Sequence, residues 1–158
     1  MPINRGKDFE RRIKEAFEKV PEVSIDRIHD QTTKFKGSTN ICDFIVYKKP
    51  YEYYIECKSV HGNTLPFSNI TETQWKGMLE KSKIEGVRAG ILCWWVDLDE
   101  TWFIPIWVLE DAKTVMNAKS INLKHPYMIA YWTRVMGKKK RVFFDYDMSN
   151  FLKRMENQ

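Results

Sequence analysis

The polar and apolar positions first mark a helix over Lys7–Val20, where Phe9, Ile13, Ala16, Phe17 and Val20 recur at helical spacing and Pro21 ends the run. A strand is predicted at Val23–Ile28, followed by a polar, basic loop at Asp30–Asn40. Two runs dense in β-branched and aromatic residues, Ile41–Lys48 and Tyr51–Ser59, read as strands joined by a short turn at Lys49–Pro50. Gly62, Asn63 and Pro66 mark His61–Ile70 as a loop. Thr71–Glu85 reads as a helix, with Thr71 as N-cap, Gln74 at the capping-box position and Gly86 as its stop. Strands are expected at Val87–Val96 and Thr101–Val108, and a short helix at Leu109–Ala118. The last third predicts a strand near Ile129–Val135, a turn at Gly137–Lys140, a strand at Val142–Tyr146 and a helix at Ser149–Met155. The pattern predicts one α/β domain over residues 1–158, with a mixed central sheet flanked by helices.

Composition narrows the class. With 158 residues, 43% of them apolar, the chain has the size of one domain and enough for a core. Net charge is +5 and the isoelectric point about 9.0, a mild excess compatible with a polyanionic partner. Cys42, Cys57 and Cys93 lie in largely apolar runs without metal spacing, as expected of buried thiols in a reducing cytosol. The charged opening and the shortness of the longest apolar run, Ala89–Val96, predict a cytoplasmic protein with no membrane partner.

The acidic residues carry the chemistry. Asp43 stands between Cys42 and Phe44, and Glu56 between Ile55 and Cys57, where a lone carboxylate is costly. If Lys49 and Pro50 form a two-residue turn, Lys48 pairs with Tyr51, and counting back sets Asp43 opposite Glu56. Opposed residues have Cβ atoms about 4.5–5.5 Å apart, so the two charges repel unless a cation lies between them. Lys58, two residues beyond Glu56, projects from the same face. Carboxylate oxygens of this kind suit Mg²⁺ or Mn²⁺. Such an ion can activate water and neutralise a phosphate, and a nearby lysine can stabilise the transition state. The alternative for Glu56 and Lys58 is a weak ion pair on an exposed sheet face.

With this Asp, Glu-x-Lys series in view, the chain resembles the PD-(D/E)xK nucleases, and among them the RecU-type Holliday-junction resolvases. The similarity rests on NRGKDFE at Asn4–Glu10, CDF at Cys42–Phe44, IECKS at Ile55–Ser59, NTLPFSNI at Asn63–Ile70, QWKGM at Gln74–Met78 and KSI at Lys119–Ile121. One departure is plain: only Asp30–Ile41 is available for the family's long stalk insertion, which is therefore reduced or absent. The resemblance implies a restriction-endonuclease-like fold and a Mg²⁺-dependent homodimer cutting four-way junctions. It implies that Asp43 and Glu56 bind metal, that Lys58 assists the attacking water and that Glu10 is a further acid near the metal. It also brings Gln74 to the site or the DNA backbone, and Thr64 and Asn69 to DNA.

Each assignment has a plainer alternative. Glu10 can be a solvated helix residue, and Gln74 only the capping partner of Thr71. Lys34, Lys36, Lys138, Lys139, Lys140 and Arg141 are either solvated loop charges or phosphate contacts. Trp94, Trp95, Trp102 and Trp107 supply core, with any remainder available to a dimer surface. Three functions follow: a structure-selective endonuclease on branched DNA, a restriction-like or repair nuclease on duplex, or a non-catalytic module binding nucleic acid or protein.

Overall fold

The computed structural model describes residues 4–28, 40–124 and 129–158. Helix α1, Arg5–Glu18, is capped by Asn4, whose side chain accepts from the Lys7 backbone N–H. Strands β1 (Ser24–Arg27), β2 (Phe44–Lys48) and β3 (Tyr51–Val60) follow. Next come a short strand β4 (Thr64–Pro66), a 3₁₀ turn (Phe67–Asn69) and helix α2 (Glu72–Ser82). Strands β5 (Val87–Trp95) and β6 (Glu100–Pro105) precede helix α3 (Ile106–Thr114) and strand β7 (Ser120–Asn122). Strands β8 (Thr133–Arg134), β9 (Gly137–Lys139) and β10 (Phe144–Tyr146) lead to helix α4 (Met148–Glu156).

Six strands form the central sheet in the order β1-β2-β3-β5-β6-β8, with β3 and β5 parallel and the other neighbours antiparallel. The parallel pair requires a crossover, which β4 and α2 supply. Two apolar clusters cover the faces. Phe9, Ile13 and Phe17 of α1 and Phe151 of α4 pack with Phe44, Ile55, Leu92 and Trp94. On the other face, Trp75 and Met78 of α2 and Val108 and Leu109 of α3 pack with Tyr54, Ile91, Cys93 and Trp95. Trp94 and Trp95 thus divide between the two cores, as strand alternation requires. The expected mixed sheet flanked by helices is the fold observed.

Several expectations need correction. Within the predicted 61–70 loop, Thr64–Pro66 pairs antiparallel with Ser120–Asn122, a contact between segments far apart in sequence. Ile106–Val108 is helical rather than strand, because Pro105 ends β6 and stands as the N-cap residue of α3. The strand expected near 129–135 is confined to Thr133–Arg134. Gly137–Lys139, expected as a turn, is a strand paired with β10, and the chain reverses after it, with the Lys140 N–H donating to the Phe143 carbonyl. The 30–40 loop, with Lys34 and Lys36, lies outside the described residues except for Asn40.

All three cysteines are free and buried. Of the tryptophans, Trp107 stays 43% exposed and packs edge-on against the exposed ring of Tyr131. Among the described residues, no helix is long and apolar enough to cross a membrane.

Candidate active site

The β2–β3 hairpin builds the centre of the site. Lys48 pairs with Tyr51 and Phe44 with Ile55, so the two-residue turn and its register are as counted from the sequence. The ladder ends beside Asp43, whose backbone N–H still donates to the Ile55 carbonyl at 3.1 Å. Its side chain then takes over: the Cys57 backbone N–H donates to Asp43 Oδ2 at 2.8 Å. A carboxylate thereby replaces the next rung and is held beside Glu56.

Glu56 is 4% exposed. Lys58 Nζ lies 3.2 Å from Glu56 Oε1, and Gln74 Nε2 donates to the same oxygen at 2.9 Å. Among the described residues, nothing donates to Glu56 Oε2, although it is buried. Burial pushes the Glu56 carboxyl up, and the negative charge of Asp43 pushes it further, to about 8, with Lys58 opposing. Burial also raises Asp43, against the Cys57 N–H and Lys58. Without a cation, the pair favours a state that is not doubly ionised.

A cleft of about 290 Å³ opens here, lined by Lys7, Glu10, Arg27, Ile28, Asn40, Cys42, Asp43, Glu56, Thr71 and Gln74. Glu10 reaches it from α1 and is held by Arg27, whose guanidinium donates to Glu10 Oε2 at 2.8 Å. Five predicted positions therefore meet: Asp43, Glu56, Lys58 and Gln74 in direct contact, and Glu10 on the same cleft. Among the described residues, no group of three or more His, Cys, Asp or Glu side chains forms a ready metal cage. The donors do fit a hard ion that takes one or two carboxylates and keeps its waters. The orphaned Glu56 Oε2 and the mutual repulsion of the two acids are the features such an ion relieves.

The remaining predictions lie elsewhere. Thr64 sits on β4, its hydroxyl bonded to the Asn63 side chain, and Asn69 is exposed in the 3₁₀ turn. Lys138, Lys139, Lys140 and Arg141 are exposed on the β9–β10 hairpin, where Lys139 pairs with Asp99. Sequence reasoning missed Arg27, Lys7, Asn40 and Thr71 as cleft residues. Arg27 reaches the cleft because β1 pairs it with Phe44, one position from Asp43, a pairing the sequence does not show. An edge strand rich in charge gave no reason to prefer it over solvent.

The fold defines a class: a mixed α/β sheet flanked by helices. The chain is similar in fold to Hjc, a Holliday junction resolvase from the archaeal hyperthermophile Archaeoglobus fulgidus, with a TM-score of 0.53 and 17% identity over 75% of this chain and 88% of that one. No family model matches the sequence, and no curated protein does.

Proposed function

We propose that the protein is a divalent-metal-dependent DNA endonuclease of the PD-(D/E)xK kind, acting on branched DNA as a Holliday-junction resolvase of RecU type. The observation that carries this reading is the hairpin juxtaposition of Asp43, Glu56 and Lys58, with one buried Glu56 oxygen left without a donor among the described residues. Likeness in fold to a junction resolvase supports the choice of substrate.

In this reading, Asp43 and Glu56 hold Mg²⁺ or Mn²⁺, and Glu10 supports the ion or its waters from α1. Such an ion, when bound, lowers the pKa of water and offsets the charge of the scissile phosphate. Lys58 is an ammonium held beside Glu56, so it acts as a donor: it orients the attacking water or bonds a non-bridging phosphate oxygen as charge builds there. The water oxygen bonds to phosphorus while the bond to the leaving sugar oxygen breaks. Gln74 holds Glu56 in place. Thr64, Asn69, Lys34, Lys36 and the Lys138–Arg141 hairpin contact the DNA backbone, supplying salt-dependent affinity without sequence preference.

A four-way junction needs two symmetric nicks, so the protein acts as a homodimer with one site per protomer. Trp107 and Tyr131 offer exposed aromatic surface for that contact. Cleavage of a four-way junction and of linear duplex with the same arms, in Mg²⁺, tests the reading, with Asp43→Asn as control. Preferential, paired cleavage of the junction by a dimer in sedimentation is expected. Equal rates on both substrates would make it a duplex nuclease, and no metal-dependent cleavage of either would make it a binding module.

A further inference from the structure

Helix α2 touches strand β3, which carries Glu56, and the segment leading into β2, which carries Asp43, at positions one turn apart. Its capping box is complete: the Gln74 N–H donates to Thr71 Oγ1 at 3.2 Å, and the Thr71 N–H donates to Gln74 Oε1 at 3.1 Å. That second bond decides which way the Gln74 amide faces. With Oε1 held by the helix cap, only the NH₂ end is free to turn towards Glu56, and it donates there at 2.9 Å. Glu56 Oε1 is thereby occupied by Gln74 and Lys58, and Oε2 is the oxygen left without a donor among the described residues.

Three residues on, Gly77 meets Ile41, in the segment that leads into β2. A Cβ at position 77 would stand 2.2 Å from Ile41 Cγ2 and 2.7 Å from Ile41 Cβ. Ile41 lies two residues before Asp43 and would have to move bodily, because the second clash is with the root of its side chain. A glycine inside a helix costs about 1 kcal/mol against alanine, so this close approach accounts for a residue that helix stability alone disfavours.

We infer that α2 is a two-point brace for the paired carboxylates: Thr71 aligns Gln74 on Glu56, and Gly77 seats the Ile41–Asp43 segment. Thr71 and Gly77 are positioning residues, acting through Gln74 and Ile41. The inference rests on the metal site proposed above, but the brace itself is a matter of side-chain geometry and can be read without metal.

The test uses the full chain. Mn²⁺ affinity is measured by calorimetry without DNA, the Gln74 side-chain amide is followed by NMR in metal-free buffer, and thermal melting is recorded in parallel. Thr71→Val removes the hydroxyl that accepts from the Gln74 backbone N–H, and so loosens the cap that holds the Thr71 N–H against Gln74 Oε1; Thr71→Ser keeps it. Thr71→Val and Gly77→Ala are each expected to weaken Mn²⁺ binding by roughly tenfold or more, the usual effect of removing a group that orients a ligand. Thr71→Ser should remain near wild type. Adding Ile41→Ala to Gly77→Ala removes the closer clash and should recover part of the affinity. Leu79→Ala, on the same helix but packed away from the acids, should lower the melting temperature without this loss of affinity. Unchanged Mn²⁺ affinity and an unmoved Gln74 amide signal in Thr71→Val would overturn the brace. So would an equal loss of affinity in Leu79→Ala. If wild type binds no divalent ion, the nuclease reading falls, and the brace is judged by the amide alone: it stands if Thr71→Val shifts that signal and Thr71→Ser does not, and falls otherwise.

Discussion

Replacing Glu56 with Gln should make the metal-free protein more stable while abolishing metal-dependent cleavage. The carboxyl is buried beside Asp43, and its folded-state pKa stands at about 8 against an ordinary 4.5. A folded pKa raised above the unfolded one means that stability is full below the ordinary value and is lost as pH rises towards 8. Each unit is worth about 1.4 kcal/mol, so the shift sets a ceiling of about 4–5 kcal/mol near pH 8. Glutamine keeps an oxygen for Gln74 but gives up the ion pair with Lys58, which returns part of the gain. We therefore expect Glu56→Gln to be more stable than wild type by about 2 kcal/mol at pH 8 in EDTA, and by little at pH 4.5. Urea unfolding at both pH values measures this, since urea leaves the charges unscreened. Adding Mn²⁺ should stabilise wild type by an amount that grows with the logarithm of its concentration, and leave the variant unmoved. A variant less stable than wild type at pH 8, or a difference equal at both pH values, would show that ionised Glu56 is not the strained group proposed.

Lys58→Ala should lose most cleavage in single-turnover assays while Mn²⁺ binding by calorimetry changes little, because the lysine is assigned to the reacting phosphate. Near-normal turnover in the folded variant would reduce Lys58 to an ion-pair partner. The triple variant Lys138→Ala, Lys140→Ala, Arg141→Ala should flatten the dependence of DNA affinity on salt, by a slope of about 0.9 for each phosphate no longer neutralised. An unchanged slope in anisotropy titrations would remove the β9–β10 hairpin from the DNA surface.

The parts of the site legible in the sequence are those set by local rules. A two-residue link at Lys49–Pro50 fixes strand register, and a period of two then puts Asp43, Glu56 and Lys58 on one face. The alternation that divides Trp94 from Trp95, and the spacing of Thr71 and Gln74 in the capping box, follow from neighbours in the chain. What the sequence left open depends on segments distant along it. The pairing of β4 with β7 joins three residues to three others more than fifty positions away, too few for a pattern to show. The pattern runs the strand on to Val108, past the true boundary at Pro105, because Ile106–Val108 is apolar enough for either state and only packing on the second core selects the helix. Arg27 at Glu10, the Gln74 amide on Glu56 and the seat of Ile41 on Gly77 are likewise products of docking. The sequence by itself determined which residues could carry chemistry and which face they share. Tertiary structure decided which oxygen of Glu56 is left without a donor among the described residues and what holds the carboxylate there, because those contacts exist only once helices and sheet have come together.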